Sequence, residues 1–347
     1  MKKRRKSGRV TLSDVAREAG VSPITVSRAL RSPGMVSKEV VKRIEQVVGD
    51  LGYVPDPAAR ALASQRTDVI GVIIPSVTNN VFSDVMRGIY ARVEETNYRI
   101  QLGNSRYSQK EEEKLLQTFV SQRPAGLMVS GIDQSDEARQ ILEDVACPVV
   151  QIMETGPDPV DMMVGFSHRD AARAAAEHLI AKGYERIGFI GARMDPRTAR
   201  RLEGYREALR AAGRYDEGLE RTTAQRSTVT LGSGMLLELK AGRPDLDAVL
   251  CNNDDLALGA LFACQRQGIS VPDEFGICGF NDLEMMAASC PSITSVRTYR
   301  EEMGVRGTDM LIQAIEGGRS AEANVDLGFD VIARESTARR EQGGEKG

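Results

Sequence analysis

Four arginines crowd the segment Gly191-Ala192-Arg193-Met194-Asp195-Pro196-Arg197-Thr198-Ala199-Arg200-Arg201. A guanidinium stays charged at any physiological pH, and its planar fork matches both oxygens of a carboxylate. A neutral sugar needs only paired donors and acceptors, whereas a sugar acid also needs a fixed cation. This density of arginine exceeds what a neutral sugar requires, although an arginine at a helix start is ordinarily just solvated. Two polar pairs, Asn253-Asp254 and Asn281-Asp282, each follow an apolar run and offer amide and carboxylate partners for hydroxyls. Enzymatic chemistry has less to work with. His168 and His178 are the only histidines, and the sequence contains no Ser-His-Asp set, P-loop, Gly-x-Gly-x-x-Gly after a strand or metal-ligand spacing. Carboxylates are abundant, so a carboxylate-only hydrolase is the remaining enzyme reading, and no motif supports it. The expectation is a binding protein with no cofactor and no metal.

The five cysteines (147, 251, 264, 278 and 290) form no C-x-x-C pair, a spacing that suits buried thiols in a reducing compartment. The basic start Met1-Lys2-Lys3-Arg4-Arg5-Lys6 is not followed by the apolar stretch of a signal peptide, since Ser13, Asp14, Arg17 and Glu18 come next. No apolar run approaches a membrane span, and both features point to the cytoplasm. Charge is unevenly spread. Up to residue 65 there are thirteen Lys/Arg against six Asp/Glu, about +7, while the whole chain totals -3. A basic head on an acidic body suggests nucleic acid at one end.

The elements in that head are short. Leu12, Val15, Ala16 and Ala19 recur at helical spacing and Gly20 stops the helix. Ser22 and Pro23 then supply a cap residue and a first-turn proline for a second helix through Ile24, Val26, Ser27, Ala29 and Leu30. Two short helices around a glycine turn make a helix-turn-helix. A third amphipathic segment runs from Ser37 to Leu51.

The stretches Asp14 to Leu30 (DVAREAGVSPITVSRAL) and Leu51 to Pro55 (LGYVP) resemble the lac/galactose repressor (LacI/GalR) family of transcription regulators. That resemblance implies that the start of the second helix enters the major groove of operator DNA. Pro23, Ile24 and Arg28 match the base-reading positions, and Arg28 suits guanine O6 and N7. Thr25 and Ser27 match positions that hold phosphates, and Thr11, Ser22 and Tyr53 complete the contact set of the head. Asp56-Pro57-Ala58-Ala59-Arg60-Ala61-Leu62-Ala63-Ser64 matches the family's hinge helix, too short to be stable alone. Ala59 and Leu62 match its minor-groove contacts, with Leu62 as the wedge that kinks the duplex.

From Asp68 the pattern changes to apolar runs alternating with amphipathic stretches. Strands are expected at 69–75, 99–102, 126–130, 149–153, 187–190, 248–251 and 275–279, with helices through Phe82–Val93, Ala171–Ala181, Leu202–Ala212 and Leu256–Gln267. Such alternation gives parallel sheets flanked by helices, with a cleft at the strands' carboxyl ends. The fold class is therefore α/β, an N-terminal helix-turn-helix head plus a two-lobed, periplasmic-binding-protein-like core. Boundaries are set at 1–55 for the head, 56–66 for the hinge, 67–340 for the effector-binding and dimerisation core, and 341–347 for a disordered tail.

The resemblance continues through GVIIP (71–75), GYREAL (204–209), NDDLALGA (253–260), VPDEFGICGFND (271–282) and PSITSVR (291–297). VGFSHRDAAR (164–173), IGARMDPRT (190–198) and DLGF (326–329) look most like the family's gluconate-operon repressors. It implies Arg201 as the ligand arginine, with Arg197 a second candidate on the same loop. Asn253, Asp254, Asn281 and Asp282 match positions that bond ligand hydroxyls or brace the cleft, and Asp254 alternatively caps the helix near Leu256. Asn80 and Phe82 match the opposite wall. Ser227, or Thr228, stands where several relatives have an aromatic residue, a loss that suits an open-chain sugar acid.

The implied protein is a homodimer on pseudo-palindromic operator DNA, with no membrane partner, that responds to a small sugar acid such as gluconate. The alternatives are a neutral sugar or purine effector in the same family, or a cytosolic solute-binding protein without a DNA role. The sequence leaves open whether the effector induces or co-represses.

Overall fold

The computed structural model describes residues 10–31, 33–54, 67–318 and 322–339. The chain divides into two units, Met1–Thr67 and Asp68–Gly347. Ala59 and Leu62, the rest of the expected hinge helix and the tail beyond Arg339 lie outside the described residues.

In the first unit, helix α1 (Leu12–Ala19) opens on a capping box. The Thr11 hydroxyl accepts from the Asp14 amide and the Asp14 carboxylate accepts from the Thr11 amide, an arrangement worth about 1 kcal/mol. Gly20 closes the helix at φ 65°, where a side chain would be strained. Ser22 Oγ accepts from the Thr25 amide at 3.1 Å at the start of α2 (Pro23–Arg31). Ser37 occupies the cap position of α3 (Lys38–Leu51) without a side-chain bond. Val15, Ala16, Ala19, Val26, Ala29, Ile44 and Tyr53 form the small core that holds the three helices together.

The second unit contains two six-stranded sheets. The first comprises β1 (Val69–Ile74), β2 (Arg99–Asn104), β3 (Gly126–Ser130), β4 (Val149–Ile152), β5 (Met162–Gly165) and β11 (Asn324–Asp326). The second comprises β6 (Ile187–Ala192), β7 (Glu220–Thr223), β8 (Ala248–Cys251), β9 (Gly276–Asn281), β10 (Thr294–Arg297) and β12 (Asp330–Ile332). Their orders, β11-β5-β4-β3-β1-β2 and β12-β10-β9-β8-β6-β7, repeat one doubly wound pattern. All pairings are parallel except that of β12 with β10. Strands such as β6 and β8 are buried throughout, as expected when helices cover both faces.

The helices are α4 (Asn80–Val93), α5 (Gln109–Ser121), α6 (Asp136–Asp144), α7 (His168–Ala181), α8 (Pro196–Ala211), α9 (Val229–Gly242), α10 (Asp254–Gln267), α11 (Glu284–Ala288) and α12 (Arg300–Ile315). The chain passes between lobes after β5, after β10 and after β11, so each lobe is assembled from separate stretches of sequence. Glycine sets the closest helix contact at α7 and α8. A Cβ on Gly204 would sit 2.0 Å from the Arg169 carbonyl oxygen. Tyr205, next along α8, is fully buried and donates its hydroxyl to the Ile187 carbonyl at 2.8 Å, pinning α8 to β6.

Two expectations need correction. The arginine segment is not a loop throughout, because Asp195 caps α8 and Pro196 starts it, placing Arg197, Arg200 and Arg201 on the first turns of a helix. The cysteines are all free, but only Cys251, Cys264 and Cys278 are buried. Cys147 is half-buried and Cys290 exposed, the latter in the turn after α11.

Candidate functional site

The carboxyl ends of strands from both sheets border a cleft of about 800 Å³, its open mouth included. From the first lobe come Asn79, Phe82, Tyr107 and Met153, and from the second Arg193, Arg197, Arg201, Ser227, Asn253, Asp254 and Asn281. Three helices begin here, and their caps Asn79 (α4), Asp195 (α8) and Asn253 (α10) all line the cleft. Helix N-termini present partial positive charge. Seven residues at positive φ, namely Arg106, Tyr107, Met153, Arg193, Met194, Asn281 and Asp282, occur at or just after the ends of β2, β4, β6 and β9. Such strain gathers where a backbone must serve a site.

Arg201 is the most buried of the cations lining the cleft, only 8% exposed. Its Nε donates to His168 Nδ1 at 3.1 Å, its Nη1 donates to the Asn252 carbonyl, and its plane lies 3.8 Å from the Phe280 ring centre. Burial pushes it down to about 10, which leaves it charged at neutral pH. Arg197 donates to Ser130 Oγ on the opposite lobe at 3.2 Å and approaches the Phe82 ring at 5.9 Å. Arg200 turns away from the cleft to pair with Asp133 and, at 3.3 Å, Glu154. Phe82 is 3% exposed, a cleft wall that is also core.

The polar pairs divide their roles. Asn253, rather than Asp254, caps α10 by accepting from the Leu256 amide at 3.1 Å, and Ser227 Oγ donates to the same Oδ1 at 2.8 Å. Asp254 accepts from the Leu283 amide and Ser295 Oγ, both at 2.7 Å, and burial lifts its carboxyl to about 7 despite those bonds. Asn281 is 2% exposed, and its Oδ1 has no hydrogen-bond partner, an acceptor awaiting a donor.

Two expected contacts do not reach the cleft. Asn80 is exposed on the first turn of α4, and its neighbour Asn79 takes the lining position and donates to the Tyr107 hydroxyl at 3.1 Å. Asp282 points to Arg297 and Arg334, at 2.8 and 2.6 Å, and braces the end of β9. Thr228 spends its hydroxyl on the cap of α9, which leaves Ser227 as the lining residue.

The sequence reading missed Asn79, Tyr107, Arg193, Asn252 and, above all, His168. Asn252 bonds the Ala192 backbone and Thr198 Oγ1, tying β6 to β8 beneath Arg201. His168 is fully buried, and burial with the nearby Arg201, Arg197 and Arg200 charges keeps it well below 6.5 and neutral. The signal was present in the segment Ser167-His168-Arg169-Asp170, where Ser167 caps α7, but its partner is 33 residues away.

In the head, Pro23, Ile24 and Arg28 share the exposed side of α2, and Ile24 is 65% exposed. Ser22 is exposed, while Thr25 and Ser27 are half-buried. Ser22 Oγ and Thr25 Oγ1 are 2.8 Å apart. Thr11 is exposed at the cap of α1, whereas Tyr53 packs in the head's core at 8% exposure. Among the described residues no helix is long and apolar enough to cross a membrane, and no cluster of His, Cys, Asp and Glu is suited to a metal ion.

The family description "Bacterial regulatory proteins, lacI family" matches residues 11–56, and "Periplasmic binding protein-like domain" matches residues 176–337. The HTH-type transcriptional regulator GntR of Pseudomonas aeruginosa is 41% identical over 336 residues, 97% of this chain and 98% of that protein. The chain belongs to the lacI family of bacterial regulatory proteins. As a lacI-family protein it is a DNA-binding transcriptional repressor and not an enzyme. Its fold is similar to that of the transcription regulator GntR from Chromobacterium violaceum, with a TM-score of 0.75 and 41% identity over 78% of this chain and 99% of that one. A lacI-family regulator from Silicibacter pomeroyi is similar over 95% of this chain and 100% of its own, with a TM-score of 0.87 and 35% identity.

Proposed function

We propose that this repressor's grip on operator DNA is controlled by a small sugar acid such as gluconate, bound between the lobes. The observation that carries the reading is Arg201, a buried charge at the floor of the cleft with no carboxylate within ion-pair distance among the described residues. Asp195, Glu154 and Asp254 act on it only at longer range; a buried charge without a direct partner is costly, and a ligand carboxylate would relieve that cost. Asn281 Oδ1 and the Ser227–Asn253 pair suit hydroxyls further along an open-chain acid, with Arg197 as a second cation. The head reads DNA through Pro23, Ile24 and Arg28, with Ser22, Thr25, Ser27 and Thr11 on the phosphates and Ala59 and Leu62 in the minor groove.

The working unit in this reading is a dimer, whose two-fold symmetry matches a pseudo-palindromic site. Ligand binding closes the lobes and shifts the population away from the DNA-competent state. Thermal unfolding with gluconate, ketogluconates, neutral hexoses and purines tests the ligand class. At about 100 times its dissociation constant a ligand adds roughly 2.7 kcal/mol, a shift of several degrees. The expected result is a shift with sugar acids alone, lost in Arg201→Ala, and operator release by the same compounds. Stabilisation by neutral sugars or purines alone sinks the sugar-acid reading. Tighter operator binding with gluconate would make it a co-repressor.

A further inference from the structure

Among the described residues, Arg201 and Arg300 are the two arginines less than a tenth exposed, and they are held in opposite ways. Arg300 has an ordinary counter-ion, Asp84, at 2.7 Å. Arg200, one residue before Arg201, pairs with Asp133 and Glu154. Arg201 instead meets three neutral groups, the Asn252 carbonyl, the Phe280 ring and His168. Of these, His168 receives the Nε–H and so fixes the plane of the fork.

The imidazole has only one way to do this. Its Nε2 is 2.9 Å from the Met153 carbonyl oxygen, which can only accept, so Nε2 carries the hydrogen. Nδ1 is then a lone-pair acceptor facing Arg201 Nε. Glu154 Oε2 is 3.8 Å from Nε2, beyond hydrogen-bond reach, and Phe166 and Phe280 flank the ring at centre distances of 4.3 and 6.0 Å. A protonated ring would turn a second donor on Arg201, and an aspartate in its place would neutralise Arg201 from within the chain.

We propose that His168 is a positioning residue that makes the cleft selective for anions, because it aims Arg201 as a neutral acceptor and leaves its charge for the ligand. This rests on the sugar-acid reading and extends it to the residue that enforces the choice.

The test compares His168→Asn, which keeps a neutral acceptor near the Nδ1 position, with His168→Asp, which has the same shape and a charge. Each full-length protein is titrated calorimetrically with gluconate and with glucitol, its uncharged alcohol. The wild type is expected to prefer gluconate, and His168→Asn to keep that preference within about threefold. His168→Asp is expected to lose about 10- to 100-fold in gluconate affinity, the scale of a hydrogen bond to a charged group, and little in glucitol affinity. Equal losses in the two variants, or an undiminished preference in His168→Asp, overturn the proposal while leaving the sugar-acid reading intact. A wild type that does not prefer gluconate overturns the sugar-acid reading first, and this proposal with it. If His168→Asp does not fold, nitrogen-15 spectra of the wild-type imidazole from about pH 5 to 8 decide, with His178→Gln removing the other ring. A constant Nε2–H tautomer supports the proposal, and a His168 that protonates in that range overturns it.

Discussion

The Arg193 guanidinium stands 3.8 Å over the centre of the Tyr107 ring, joining the turn after β6 to the turn after β2, and both residues hold positive φ, 69° and 59°. The contact crosses between the two lobes beside the cleft, so in the proposed mechanism it would help hold the lobes closed. Removing the ring in Tyr107→Ala forfeits a cation–π contact of about 1 kcal/mol, which predicts an effector affinity about fivefold weaker. Calorimetric titration measures this, and an unchanged affinity would show that the stack plays no part in closure.

Gly204 governs the site at one remove. Gly204→Ala forces α8 away from the Arg169 carbonyl on α7 and so separates Arg201 from His168, which sit on the same two helices. The expected cost is about 1–3 kcal/mol of stability together with most of the effector response. Denaturant unfolding paired with ligand titration reports both, and a destabilised variant that still responds fully would uncouple the helix contact from the site.

Burial raises Glu154 to about 7 against the pull of Arg200 and the His168 amide. The folded state therefore holds this proton more tightly than the unfolded chain. Its stabilising contribution is full below about pH 4.5 and is lost as pH rises through about 7, on the order of 3 kcal/mol. Asp254, raised to about 7 by its own burial, acts in the same direction. Glu154→Gln should flatten part of this slope between about pH 4.5 and 7. Unfolding free energies measured across that range check it, and a slope identical to wild type would place the ionisation elsewhere.

On the DNA side, Arg28 is exposed on α2 beside Ile24. Arg28→Ala is expected to cost about 1–3 kcal/mol on the specific operator and to relax preference at one base pair. Binding to a panel of single-base operator variants reads this out. A uniform loss across the panel would reassign Arg28 to a phosphate.

Leu62→Ala tests the minor-groove wedge. Specific binding should weaken far more than non-specific binding, because only the operator complex benefits from the kink. Equal weakening in both would rule the wedge out.

The features legible in the sequence are those encoded locally. Gly20 ends α1 and Ser22-Pro23 opens α2 within a few residues of one another, and apolar runs such as Val69–Ile74 become buried strands. Roles that depend on distant neighbours were harder to read. Nothing local distinguishes Asn79 from Asn80, or Asn253 from Asp254, as the helix cap. The three-residue strands Asn324–Asp326 and Asp330–Ile332 are too short for a period, and each joins a different sheet. His168 was passed over because its meaning lies in Met153 and Arg201, which reach it from other elements.

Asn79, Asp195 and Asn253 turn three helix beginnings toward one space, and this has a consequence for how such a regulator can diverge. The peptide dipoles of these helix starts favour electron-rich groups in the cleft, and no side-chain exchange removes them. On the proposed reading, substitutions at the cleft-lining Arg197, Ser227 or Asn281 would retune which effector is sensed while this bias stays in place. A cationic metabolite is a far harder destination, because reaching it would mean rebuilding the scaffold itself.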